Sequence, residues 1–167
     1  METIGKANEM CNPLVGYPLK YIGRSIDLVK IGFGEELSRK NLRGVEVHTY
    51  LFSLHLQCPF RIVKEGKILV GYNDLFVSSD GSISQVDLEI KESLIFDKRV
   101  NENLSFLVGE QVQSVVLSNT RDLEIKLNSY CIEVFITNST DREDWRLFKP
   151  WKKEKHLVAF GNNIEWQ

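Results

Sequence analysis

The sequence predicts a strand-rich α+β domain: a curved, mostly antiparallel sheet, barrel-like in its curvature, with one short helix packed on it. Three observations carry this. A two-residue alternation of apolar and polar residues dominates from Leu19 onward. Short Gly, Asn, Asp and Ser clusters separate consecutive runs, which favours antiparallel neighbours. No alternation of strand and helix patterns occurs, so a doubly wound parallel sheet with its nucleotide crevice is not expected. The chain of 167 residues fits a single domain, 1–167. Its hydrophobic fraction of 43% is ordinary for a globular protein, so a core can form without covalent staples.

The elements follow in order. Residues 1–17 show no clear period and carry Asn12-Pro13 and Gly16, which predicts an extended lead-in to a β-rich core over 18–160. Leu19 and Tyr21, then Ile26, Leu28, Ile31 and Phe33, predict two short strands broken near Arg24-Ser25. Gly32 and Gly34 predict a sharp turn, and the polar run Glu35 to Arg43 predicts a loop. Gly44 to Pro59 is the longest candidate strand, rich in β-branched and aromatic residues, with Pro59 at its end. Arg61–Lys64 and Lys67–Tyr72 flank Glu65-Gly66 as a hairpin, and turn signals follow at Asn73-Asp74 and across Ser78 to Ser82.

Phe96, Val100, Leu104 and Leu107 fall on one helical face. Asp97 as a cap and Gly109 as a terminator predict a helix near 97–108. Residues 111–137 read as a three-strand meander through Asn119-Thr120 and Asn128-Ser129. Its middle strand alternates Leu123, Ile125 and Leu127 with Glu124 and Lys126. Trp145–Lys149 and His156–Phe160 predict two last strands around Pro150. No internal repeat or low-complexity segment is present.

Composition narrows function. The net charge of −2 provides no basic footprint of the kind phosphate binding requires, so nucleic acid is not an expected partner. No stretch approaches the roughly 20 apolar residues of a membrane-spanning helix, and the first residues lack a basic and apolar leader. Cys11, Cys58 and Cys131 are odd in number and widely spaced, which predicts reduced thiols, a cytoplasmic setting, and neither a disulfide framework nor a zinc cluster.

Motifs for chemistry are sparse. His48 and His55 lie seven residues apart in one expected strand, and an odd separation places them on opposite faces, where they cannot share a metal. The same parity separates His55 from Cys58, so no Cys–His pair is expected. Gly32-Phe33-Gly34 lacks the remainder of a dinucleotide fingerprint. Asp87 and Glu89 share an expected strand face, a spacing open to paired-carboxylate catalysis but more typical of a solvated surface. No catalytic residue, metal or cofactor is assigned.

The run Ser139-Thr140-Asp141-Arg142-Glu143-Asp144-Trp145-Arg146-Leu147-Phe148 is the most distinctive. Thr140 and Glu143 have capping-box spacing for a short helical turn, and Trp145 is expected to enter the core as a corner locking the last strands onto the meander. Arg146 is a candidate interface anchor, because a planar guanidinium pairs strongly with carboxylates. Trp151, within Lys149-Pro150-Trp151-Lys152-Lys153, is a second candidate, and Arg61 a third.

Cys58-Pro59-Phe60-Arg61-Ile62, Arg121-Asp122-Leu123, Asp144-Trp145-Arg146-Leu147 and His156-Leu157-Val158 together resemble an uncharacterised family of small bacterial proteins, over most of residues 18–160. An acidic-Trp-Arg-Leu segment near the C-terminus is similar to that of immunity proteins of polymorphic toxin systems. The resemblance implies a non-enzymatic, cytoplasmic module that binds and neutralises a cognate toxin protein. It brings no active site, and its weak acidity departs from many neutralisers. The alternative is a small ligand-binding or enzymatic domain with a pocket on the sheet's concave face.

Overall fold

The computed structural model describes residues 3–81 and 86–167, so Ser82 of the expected turn lies outside the described residues. The fold is α+β and antiparallel throughout, but its strands divide between two sheets and neither closes into a barrel. The six-stranded sheet runs β1 (Leu19–Ser25), β2 (Leu28–Lys40), β3 (Glu46–Leu56), β9 (Glu143–Phe148), β10 (Leu157–Phe160) and β11 (Ile164–Trp166). The five-stranded sheet runs β5 (Lys67–Gly71), β4 (Phe60–Lys64), β8 (Cys131–Val134), β7 (Leu123–Leu127) and β6 (Val112–Leu117). Both bury their inner faces in one core, which joins Ile31, Leu54 and Trp145 of the first sheet to Ile62, Ile125 and Ile132 of the second. Each such side chain stabilises the fold by about 1.5–3 kcal/mol through burial.

Two helices close the sandwich. The expected one is α2 (Ile95–Leu107), which packs against β1 and β5 with Phe96, Val100 and Leu107 buried. Its Asp97 stands at the third helical position. The carboxylate accepts from the Leu94 N–H (3.3 Å) and grips the Arg24 guanidinium through two bonds of 2.9 and 2.8 Å. Gly109, at φ +94°, ends the helix and donates its N–H to the Leu19 carbonyl.

The second helix corrects the sequence reading. Residues 4–11 form α1 (Ile4–Cys11), not an extended lead-in. Ala7 and Cys11 are buried, and the Asn8 side-chain amide pairs with both backbone groups of Leu117 on edge strand β6. Eight residues are too few for a helix to persist alone, so this tertiary anchoring makes it.

Three further corrections matter. Gly32 and Gly34 lie inside β2, and the expected loop after them is strand as far as Lys40. Residues 138–142 contain no helical turn: Thr140 donates to Asn138, and Glu143 begins β9. Asp87 and Glu89 sit in an irregular segment where the Asp87 carboxylate accepts from the Glu89 N–H, so they share no strand face. Strand β11, beyond the expected end of the core, was not foreseen. Its three residues are too few to show a period.

Trp145 behaves as the expected corner. It is fully buried in β9, and its indole N–H donates to the Arg121 carbonyl at the β6–β7 turn, 3.0 Å away.

Candidate binding face and projecting ribbon

A register irregularity shapes the outer face of the six-stranded sheet. Phe33 of β2 pairs with Phe52 of β3, yet the next pair is Glu36 with Tyr50, so β2 spends one more residue than β3. Gly34, at φ +80°, supplies the left-handed conformation this bulge needs. The bulge breaks the parity of β3. Phe52 stays in the core, while the Tyr50 ring crosses to the outer side and covers Gly32. A Cβ at Gly32 would lie 2.5 Å from Tyr50 Cγ, so only glycine accommodates the ring there. Tyr50 then stacks on Tyr21, with centroids 5.6 Å apart and planes inclined by 17°.

The same bulge overturns the expectation that His48 and His55 face opposite ways. Both line one cavity of about 390 Å³, together with Lys30, Gly32, Ser53 and Phe148. They do not gather a metal-ligand set: His48 pairs instead with Glu36, Nδ1 to Oε1 at 2.9 Å. Among the described residues, the one cluster with metal-like spacing is Glu124, Cys131 and Glu133 on the other sheet. There Glu124 is held by Lys126 and Glu133 by Arg61, and burial pushes the Cys131 thiol up to about 11.

Two cross-strand rows build the outer face. Tyr21, Gly32, Ser53 and Phe148 form one, and Lys30, His55, Arg146 and Val158 the next. Ser53 is only 7% exposed, and no described residue hydrogen-bonds its hydroxyl, which lines the cavity. Burial first, then the nearby Lys30 and Arg146 cations, lower the His55 pKa to about 4, so the ring is neutral at pH 7. His55 meets Phe148 edge-on at 4.8 Å, and Phe148 stacks on His156 at 4.5 Å.

Arg146, singled out in the sequence, is held by neighbours on its own face. It makes a bidentate bond to Glu143 (2.9 and 2.7 Å), and its Nη1 approaches His156 Nδ1 at 2.9 Å. The Glu143 hydrogen bonds raise the Arg146 pKa, while burial and then Arg146 lower that of His156. Trp151 is half-buried in the turn after β9, next to Pro150, which lines the cavity. Arg61 is on the outer face of the five-stranded sheet, paired with Glu133 and lying over the Phe135 ring at 5.1 Å. The two outer faces point away from each other, so the structure places Arg146 and Arg61 on opposite sides of the molecule. Arg61 borders an open groove of about 940 Å³ between the β4–β5 hairpin and α2.

Beyond the bulge, residues 36–40 of β2 and 46–50 of β3 pair only with each other. They project from the sheet as a two-stranded ribbon. Its tip is ordered by Asn41, whose side chain accepts from the Arg43 and Val45 N–H groups (2.9 and 3.1 Å) and whose carbonyl accepts from Gly44 N–H. The tip exposes apolar side chains: Leu42 is fully in solvent at 108% and Val45 is 57% exposed, with Val47 also uncovered. The sequence reading has the β3 half of this ribbon within the Gly44–Pro59 strand and misses only the β2 half, because Glu35 to Arg43 is a largely polar run without a clear apolar alternation. The Gly-x-Gly inside an otherwise strand-like run was the signal for the bulge that launches it.

The groups on this face can donate hydrogen bonds and stack on a flat surface. Ser53 and His55 share the face without a hydrogen bond between them, as a serine nucleophile would need. The Cys58 thiol is buried and its pKa is pushed up by desolvation and by the Asp144 and Asp122 carboxylates. Among the described residues, no helix is long and apolar enough to cross a membrane. No family model, curated protein or solved structure matches the chain.

Proposed function

We propose that the protein is a non-enzymatic binding module that engages another protein through the β2–β3 ribbon and the adjoining outer face of the six-stranded sheet. The observation that carries this is the ribbon itself. A two-stranded hairpin gains little stability alone, and an ordered one that holds Leu42, Val45 and Val47 in water has surface to offer a partner. Both of its edges have unpaired backbone groups, ready for strand addition. Arg43 beside Leu42 adds a cation to the apolar tip, the combination common at interface hot spots.

The partner class we propose is a cognate bacterial toxin protein, as the Asp144-Trp145-Arg146-Leu147 resemblance implies. In this reading Trp145 is structural, and Arg146 and Trp151 flank the contact surface. The test is co-expression with the toxic domain encoded next to its gene. The wild-type chain should restore growth, and the Leu42→Asp/Val45→Asp variant should not, although it folds. Growth arrest in the presence of wild-type protein, or full protection by the variant, would sink the reading.

A further inference from the structure

We propose that the cavity on the outer face of the six-stranded sheet is a binding site for a planar carboxylate, an aromatic or heteroaromatic acid. This holds whether or not the ribbon engages a protein. The cavity of about 390 Å³ falls in the range of small-molecule sites, roughly 300–1,000 Å³. Its shape is that of a slot. The stacked Tyr21 and Tyr50 rings form one side, Phe148 contributes a third aromatic ring, and Gly32 adds no side chain of its own. Flat apolar surfaces of this kind favour a flat ligand.

The polar groups in the slot specify the charge. Ser53 is only 7% exposed, and its hydroxyl, which no described residue engages, opens into the slot and is free to bond a ligand there. Lys30 lines the same slot, and no carboxylate among the described residues pairs with its ammonium group. The other charges nearby are already matched, Arg146 by Glu143 and Glu36 by His48. His55 stands opposite Lys30 in the register and lines the same slot, its ring edge-on to Phe148. Lys30, Ser53 and a neutral His55 can therefore each donate one hydrogen bond to the same acceptor. One uncompensated cation with two neutral donors suits a monoanion. A phosphate dianion would call for a further cation or a free guanidinium, which the slot does not provide.

The experiment is a titration of the full chain, labelled with 15N, using 2-naphthoate as the probe and 2-naphthamide as its neutral counterpart. Naphthoate should saturably shift the amide resonances of Gly32, Ser53 and His55, with naphthamide weaker by about tenfold, the value of a charge-assisted bond. Lys30→Met should weaken naphthoate by a similar factor, roughly tenfold, and leave naphthamide unchanged. Ser53→Ala should weaken both probes without altering the rest of the spectrum. Equal affinity for acid and amide in the wild-type chain, or shifts centred away from Gly32 and Ser53, would overturn the site. So would undiminished naphthoate binding by a folded Lys30→Met protein. The acid–amide contrast is read on the unmodified chain, so the test survives failure of either variant to fold.

Discussion

Substituting Gly32 by alanine probes the geometry on which the binding face depends. The new methyl group would lie 2.5 Å from Tyr50 Cγ, an atom near the root of the side chain that cannot swing away while the backbone stays in place. Overpacking of this kind typically costs about 1–3 kcal/mol. Replacing a strand glycine also removes its conformational penalty, a gain of about 0.5–1 kcal/mol. The net expectation for Gly32→Ala is a loss of about 1 kcal/mol, with the Tyr21–Tyr50 stack disrupted. In a Tyr50→Ala background the clash is gone, and the same substitution should stabilise the protein by about 0.5–1 kcal/mol. A double-mutant cycle by urea unfolding, with the denaturant slope constant across the four proteins, should therefore show a coupling of about 1–3 kcal/mol. If Gly32→Ala has the same effect in both backgrounds, Tyr50 does not cross the bulge and the slot is not built as described.

Other perturbations have defined outcomes. Asp97→Ala leaves the Arg24 guanidinium, only 6% exposed, without its carboxylate, and should cost about 3 kcal/mol in thermal or urea unfolding. Ile26, a β-branched residue held at φ +59° in the β1–β2 turn, should give way to asparagine with a gain of about 1 kcal/mol, seen as a raised Tm. The His55 pKa is lowered from 6.5 to about 4 on folding, so the unfolded chain takes up the proton first as pH falls. Stability should be complete above pH 6.5 and decline toward pH 4 by about 1–2 kcal/mol, after allowing for screening of a partly exposed ring. The decline should be smaller in His55→Gln, and an identical pH profile for the two proteins would contradict the environment described for this ring.

Where local pattern and tertiary structure agree, the sequence is transparent. Leu123, Ile125 and Leu127 are buried while Lys126 is exposed, because a half-buried strand writes its two faces into alternate positions. The helix bearing Phe96, Val100 and Leu107 is legible for the same reason at its own period. The failures have specific physical causes. Helix α1 depends on Asn8 reaching Leu117, a contact 109 positions away that no local window contains. The division into two sheets depends on which strands pair, since β3 leads to β4 in the chain but hydrogen-bonds to β9. His48 and His55 are misassigned because the alternation of β3 is interrupted where it faces the bulge, between Phe52 and Tyr50, and period-two reasoning carries any such interruption forward to every later position. For the candidate site, Arg146 and Trp151 are visible as residue types. Ser53 and Lys30 are not, because an unpartnered hydroxyl and an unpaired ammonium group are properties of surroundings.

Calorimetric titration of the proposed partner, a purified toxin domain sought among the genes beside its own, tests the central claim most directly, with the wild-type protein and the Leu42→Asp/Val45→Asp variant compared. The account predicts a saturable complex with the wild-type chain and binding at least about thirtyfold weaker for the variant, the loss expected from one interface hot spot. Absence of binding to the wild-type chain, or equal affinity for both proteins, would contradict recognition through the ribbon.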